Sequence, residues 1–268
     1  MDTITLAREL MESWTSGTPL AAPPSSSETG FDMDAAYATE AELTRLRREA
    51  GHIVTGRKVG YANKAMWRVL KLETLVWAAM YDDTVHSGAK ELSLANFITP
   101  RIEPEIVFKL KQAMPEAGLD AAGALGCVEW LAPGFEIIDC PWPDWQFKPA
   151  DFVAAFGLHR ALVVGEALPV DSASIPKLAE ELGAFKVRLL RNGELIEEGS
   201  GKNSLRSPPL CLAELAAAIL HRSGATPLRP GELISTGTLT GARSIQRGEV
   251  WRAEVEGLAV NPLEVRFL

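Results

Sequence analysis

Cysteine is scarce in this 268-residue sequence: Cys127, Cys140 and Cys211 are odd in number and widely spaced, with no CxxC and no Cys/His pattern. That excludes a disulfide framework and a thiolate zinc site. The four histidines, His52, His86, His159 and His221, show neither HxH nor HxxxH spacing, so a histidine metal site is not expected either. Long apolar runs are missing. A stretch such as "LAELAAAIL" (212–220) is far too short to span a bilayer, and no membrane partner is expected. The start "MDTITLAREL" carries an acid at position 2 and no basic segment, so a secretory leader is not expected and a cytoplasmic location is. Basic excess is absent too: a net charge of −8 makes nucleic acid a poor partner. No GxGxxG follows a strand, "GSGKNSLRSPP" lacks phosphate-loop spacing, and no Gly-x-Ser-x-Gly elbow occurs.

What is present reads as one large mixed α+β domain behind a helical segment. Residues 2–14 and "DMDAAYATEAELTRLRREAG" (32–51) have helical character, the second with a capping acid and a terminal glycine. "SGTPLAAPPSSSETG" (16–30) between them reads as a loop. Beyond residue 66 the texture changes to short β-branched segments: "RIEPEIVFKL", "FEIIDC", "RALVVGEAL", "FKVRLLRNGELIEEGS", "LISTGTL" and "VWRAEVEGLAVNPLEVRF". "RNG" marks a hairpin. Helices are expected over 121–132, 174–183 and 210–224. Strands and helices do not alternate regularly, which disfavours a doubly wound sheet and favours a rolled, barrel-like one. The expected division is a helical region, 1–66, and a mixed β-roll, 67–268.

The chemistry centres on "RIEPEIVFKL" (101–110). On a strand, Glu103 and Glu105 point to one face because side chains alternate with period two. Two carboxylates close together and partly desolvated require either a shared proton or a cation. Glu136, in "GFEIIDC", is a third acid in similar surroundings, and three carboxylates converging from two strands suit Mg²⁺ or Mn²⁺. The bland reading, a solvated edge strand, fits Pro104, which donates no ladder hydrogen bond.

In chain order, "DAAYATEAEL" with Tyr37, "TGRKVGYANK" with Lys58, "EPE", "GFEIID" and "STGTLTG" with Gly237 and Thr238 resemble the fumarylacetoacetate hydrolase superfamily, within it the 2-keto-4-pentenoate hydratase and 4-oxalocrotonate decarboxylase branch. The resemblance runs from about residue 34 to the C-terminus. It implies a mixed β-roll in a homo-oligomer, with Glu103, Glu105 and Glu136 as metal ligands, Lys58 as active-site lysine, and Gly237 and Thr238 on substrate oxygens. The implied reaction is metal-dependent addition of water to a 2-hydroxy-dienoate or 2-keto-enoate. Decarboxylation of a 2-keto-enedioate, acylpyruvate C–C hydrolysis and non-catalytic keto-acid binding are the alternatives. Hydrolysis needs a His–Glu pair, and no histidine is placed for it in the sequence. Lys58, partly desolvated beside a cation, is expected to have a lowered pKa and to carry a proton.

Several positions depart from the pattern. Glu40 stands where a glutamine is common, and Ala155, Phe156, Gly157 and Leu158 replace a usual polar patch, which points to a larger or less polar substrate. Asp82, Asp83 and His86 take no assigned role, turn capping being the simpler reading. The tryptophans of "CPWPDWQF" (140–147) either wall the pocket or pack an interface.

Overall fold

The computed structural model describes residues 2–27, 30–115 and 118–268. Three helices, α1 (Thr3–Ser16), α2 (Pro24–Ser27) and α3 (Met33–Glu49), precede β1 (Val54–Gly60). Next come α4 (Lys64–Leu70), β2 (Val76–Tyr81), β3 (Val85–Ser87), β4 (Glu91–Leu92) and β5 (Arg101–Leu110). They are followed by α5 (Ala121–Leu125), β6 (Val128–Ile138), α6 (Pro149–Ala154), β7 (His159–Val164), β8 (Leu168–Pro169) and α7 (Ile175–Ala184). The remainder is β9 (Lys186–Arg191), β10 (Glu194–Ser200), α8 (Pro208–His221), β11 (Leu233–Ser235), β12 (Arg243–Ser244), β13 (Val250–Glu256) and β14 (Leu263–Phe267).

Among the described residues the strands form two sheets. The larger runs β2-β1-β11-β5-β6-β7-β3, with β12 added to β5 and β8 to β6; the smaller runs β10-β9-β13-β14-β4. Both are mixed, with β1/β11, β3/β7 and β14/β4 parallel and the other pairs antiparallel. This is the mixed α+β roll expected. The "RNG" hairpin also forms, Asn192 and Gly193 both adopting positive φ between β9 and β10.

The period-two rule sorts β5 into two faces. Ile102, Ile106 and Phe108 join the principal core with Phe135 and Ile137 of β6, Val187, Leu189, Trp251 and Val265 of the smaller sheet, and Leu212 and Leu215 of α8. Met80, Val107, Ala132, Leu162 and Val164 form a separate apolar cluster on the other face. Glu103 and Glu105 share that second face with Val107.

The helical segment covers a sheet edge. β2 is an edge strand, and two of its outward amides donate to α3: Trp77 N–H to Tyr37 Oη at 3.3 Å and Ala79 N–H to Glu40 Oε1 at 3.1 Å. A carboxylate serves that acceptor role as well as a glutamine carbonyl, so the departure at Glu40 is structural. Asp32 caps α3 through the amides of Asp34 and Ala35, each at 3.0 Å.

Some expectations are revised. The helix read over 121–132 stops at Leu125; Gly126 follows, and Val128–Leu131 pair with β5 as the start of β6. The loop at 16–30 contains α2, while its Glu28 and Thr29 lie outside the described residues. The boundary expected at residue 66 falls between β1 and β2, which are hydrogen-bonded neighbours. Among the described residues no helix is long and apolar enough to cross a membrane.

Candidate metal centre

Strand register brings the three glutamates together. Glu103 of β5 is the direct cross-strand partner of Glu136 of β6, and Glu105 lies one pleat further along, opposite Gly134. A carboxylate oxygen from each lies within 4.8 Å of the others. Glu105 and Glu136 are buried and Glu103 is half-buried. Lys58 reaches the same place from β1, two strands away from β5 across β11. Its Nζ lies 3.0 Å from Glu136 Oε2, an ion pair outside hydrogen-bond geometry, and donates to the Gly157 carbonyl at 3.0 Å.

Each member of the cluster is held by neighbours the fold supplies. Glu105 Oε2 accepts from Ser235 Oγ at 2.5 Å and from the Gly237 amide at 2.8 Å. Gly237 has φ +87, and a Cβ there would come within 2.6 Å of Ala62 Cβ, so the turn that aims this amide requires glycine. The Gly237 amide is thus spent on Glu105. The Thr238 hydroxyl donates to the Thr240 carbonyl at 2.8 Å. The Lys58 anchor lies in the apolar segment that replaces the usual polar patch. Phe156, Gly157 and Leu158 all have positive φ, a strained run that presents a backbone carbonyl to the ammonium. A Cβ on Gly157 would meet Lys58 Cδ at 2.8 Å.

His159 belongs to the cluster, contrary to expectation. Its Nδ1 is 2.9 Å from Glu136 Oε1 and its Nε2 is 3.0 Å from Thr84 Oγ1. Burial holds its pKa below the ordinary value, so the ring is neutral, while the Glu136 hydrogen bond opposes that shift. Nδ1–H donates to the Glu136 carboxylate, and Nε2 faces the Thr84 hydroxyl, which accepts from the Tyr81 amide and donates to the Tyr81 carbonyl, each at 3.0 Å. His159 therefore orients Glu136 from the side away from Lys58. The sequence signal was a lone histidine opening an apolar strand, which period counting alone does not distinguish from a core position.

The electrostatics are those of an acid-rich centre. Burial, opposed by Lys58 and reinforced by Glu136, pushes Glu103 up to about 7. Burial and its two carboxylate neighbours raise Glu105 well above the usual range. For Glu136 burial works against the charge, yet Lys58 and His159 hold its pKa below normal. Burial would likewise lower Lys58, but Glu136, Glu103 and Glu105 outweigh it and raise the lysine pKa, the reverse of the direction expected from sequence. Glu136 and Lys58 balance each other, and ionising the two raised acids creates the excess negative charge that a cation would meet.

The donor set fits a hard divalent cation. Only oxygens are offered: Glu136 Oε2 is met by the Lys58 ammonium, whereas Glu105 Oε1 is buried with no hydrogen bond. Such an atom is costly unless something positive meets it. Three carboxylate oxygens leave further coordination positions for water or a ligand on Mg²⁺ or Mn²⁺. A cavity of about 1190 Å³ lies elsewhere: Tyr37, Glu40, Arg57, Trp77, Arg222 and Glu232 are among its lining residues and none of the cluster is.

Other candidates fall outside it. Asp82 accepts the Ile53 amide at 3.1 Å, and Asp83 pairs with Arg47, so both serve the turn. With His52 they make a second, largely exposed grouping. His86 sits half-buried on β3 beside β7.

The raised acids give a pH dependence with a definite sign. Between the unfolded value near 4.5 and the folded value near 7, Glu103 binds more protons in the metal-free native state than in the unfolded chain. Its contribution to stability therefore falls as pH rises through that window, while the lowered His159 works in the opposite direction and the depressed Glu136 acts below it. Cation binding must displace the protons on Glu103 and Glu105. The Mg²⁺-induced rise in melting temperature is expected to be several degrees larger at pH 8 than at pH 5.5; a pH-independent rise would contradict the charge assignment.

Residues 52–265 match the fumarylacetoacetate (FAA) hydrolase C-terminal family. The chain is 29% identical over 241 residues to 2-hydroxyhexa-2,4-dienoate hydratase of Comamonas testosteroni, covering 88% of each chain. It is 30% identical to 4-oxalocrotonate decarboxylase of a Pseudomonas species, covering 81% of this chain and 82% of that one. In structure it is similar to 4-oxalocrotonate decarboxylase of Pseudomonas putida G7, complexed with magnesium and adipate. The TM-score is 0.87 at 21% identity, covering 99% of this chain and 97% of that one.

Proposed function

We propose, since the chain belongs to the fumarylacetoacetate hydrolase family, that it is a divalent-metal-dependent lyase that adds water to a 2-hydroxy-dienoate or 2-keto-enoate such as 2-keto-4-pentenoate. The observation that carries this reading is the convergence of Glu103, Glu105 and Glu136 on one point, with the buried Glu105 Oε1 left without a hydrogen bond and the Lys58 ammonium on Glu136 alongside.

In this reading the three glutamates hold Mg²⁺ or Mn²⁺, which supplies Lewis-acid polarisation to the carboxylate and 2-oxygen of the substrate. Lys58 is the proton carrier. Kept charged by the carboxylates, it has a proton to deliver to the far carbon of a dienol and would take back the one lost from the 2-hydroxyl, giving the conjugated keto-enoate to which water then adds. The Gly157 carbonyl and the Phe152 ring, 4.9 Å from Nζ, fix the ammonium and keep bulk water from it. Gly237 acts by holding Glu105, and Thr238, half-buried, shapes the same turn through its hydrogen bonds to Thr240. The N-terminal helices serve as the edge cover of the roll, and exposed Ile53, Met66 and Val69 are among the apolar side chains available for a homo-oligomer.

A second reading, decarboxylation of a 2-keto-enedioate, is favoured by the apolar wall at residues 155–158, which offers no side chain to activate water. Turnover of 2-hydroxypenta-2,4-dienoate and of 2-oxohex-3-enedioate with added Mg²⁺, followed by ultraviolet loss and CO₂ release, separates the two. Water addition without CO₂ supports the hydratase, CO₂ release selects the decarboxylase, and silence on both contradicts the lyase assignment.

A further inference from the structure

Side chains alternate along β1, so Arg57 points to the opposite face of the sheet from Lys58. Ala79 and Trp77 of β2, the cross-strand partners of Arg57 and Val59, share that face. Together with residues of α3 and of the segment 222–233 they line the cavity of about 1190 Å³, which the lyase reading does not use. Its ionisable lining is perturbed: burial pushes the carboxyls of Glu40 and Glu232 up and the Arg57 guanidinium down. Perturbed groups converging on one concave space, beside aromatic rings, are what a ligand site requires.

The charges favour an anion. In the lining Arg48, Arg57, Lys109, Arg222 and Arg229 stand against Asp34, Glu40 and Glu232. Arg222 pairs with Asp34 at 2.8 Å, Arg57 with Glu232 at 3.3 Å and Lys109 with Glu129 at 3.3 Å. Arg48 and Arg229 are exposed, and among the described residues their side chains have neither an ion pair nor a hydrogen bond. Arg229 also lies near enough to Arg57 to disfavour its charge, a repulsion that an anion between them would relieve. Further donors are unspent. Arg57 Nη2 donates to the Thr226 carbonyl at 2.6 Å, while among the described residues its Nη1 has no hydrogen bond. Tyr37 Oη accepts the Trp77 amide, which leaves its own proton for an acceptor. The body of the ligand is set by flat surfaces: Arg222 Cζ lies 3.9 Å over the Tyr37 ring, whose centroid is 4.8 Å from that of Trp77. A planar ring extends such a column through guanidinium or indole faces. The three acids in the lining count against a polyphosphate.

We propose that this cavity is a second binding site, separate from the metal centre, for an organic anion with one carboxylate and a planar aromatic body, the carboxylate meeting Arg57 and Arg229. It stands whether or not the lyase reading does.

The test titrates the full chain by calorimetry, Mg²⁺-loaded and metal-stripped, with 2-naphthoate and with its neutral counterpart 2-naphthamide. One 2-naphthoate per chain is expected, with the same affinity in both forms, and the amide about tenfold or more weaker. Arg229→Gln, an exposed position, is expected to keep the wild-type melting temperature and amide affinity and to weaken 2-naphthoate about fivefold or more. Inorganic phosphate at equal concentration is expected not to displace 2-naphthoate. Binding that vanishes without Mg²⁺ belongs to the metal centre and overturns the second site. Equal affinity for acid and amide, wild-type affinity in Arg229→Gln, or displacement by phosphate overturns the ligand class. No binding in either form, the result if a second copy of the chain fills the groove, overturns the proposal outright.

Discussion

Glu105→Gln is expected to lower kcat/KM at least about a thousandfold, a loss of roughly 4 kcal/mol of transition-state stabilisation, while the protein stays folded. Glutamine keeps an oxygen for Ser235 Oγ and the Gly237 amide, so the two hydrogen bonds that fix the side chain survive. What disappears is the charge at Oε1, the buried oxygen with no hydrogen bond. Without metal that charge is a burden. Burial and the neighbouring carboxylates hold the Glu105 pKa well above the usual range, so removing it is expected to leave the metal-free melting temperature unchanged or a few degrees higher. The combination separates a ligand from a structural residue: a stabilising buried hydrogen-bond partner would lose stability on substitution, and a metal ligand loses activity alone. Parallel kcat/KM and melting measurements check both halves, and retained turnover would remove Glu105 from the centre.

Lys58→Met is expected to cut kcat by a factor of about 10² to 10⁴, the usual span for a positioned proton carrier. Its other effects run opposite to those at Glu105. Glu136 would be left buried without its ammonium partner and the Gly157 carbonyl without its donor, so the metal-free protein should lose about 3–5 kcal/mol of stability. Mg²⁺ or Mn²⁺ should bind at least as tightly as in wild type, because a positive charge 3.0 Å from Glu136 no longer competes with the ion. Loss of kcat with metal affinity retained identifies a proton carrier, whereas a kcat within twofold of wild type would assign Lys58 a purely electrostatic role. The assay is steady-state kinetics beside metal titration and denaturant unfolding.

The parts legible in sequence were those written in local periodicity. "RIEPEIVFKL" announced a strand with two acids on one face, "RNG" a hairpin, and Asp32 the start of a helix. That Glu136 lies directly across from Glu103 is a matter of register between strands joined through 111–127, and no local pattern contains it. The resemblance, an ordered set of motifs, supplied that juxtaposition. His159 was missed for the same reason, since its partners Glu136 and Thr84 come from different elements. "AAGALGCVEWLA" misled because small apolar residues satisfy both periods, and the outcome was decided by Gly126 and by pairing of Val128–Leu131 with β5. At residues 155–158 the polar function passed to a backbone carbonyl, which side-chain reading cannot register. The Lys58 pKa was misjudged in direction because the expectation weighed a cation and left out three carboxylates.

Everything proposed depends on one divalent ion bound by side chains from β5 and β6. The most direct test is calorimetric titration of the metal-stripped protein with Mn²⁺, wild type beside Glu105→Gln. One ion per chain is expected in wild type, with affinity at least a hundredfold weaker in the variant. Equal affinity in both, or no binding by wild type, would contradict it.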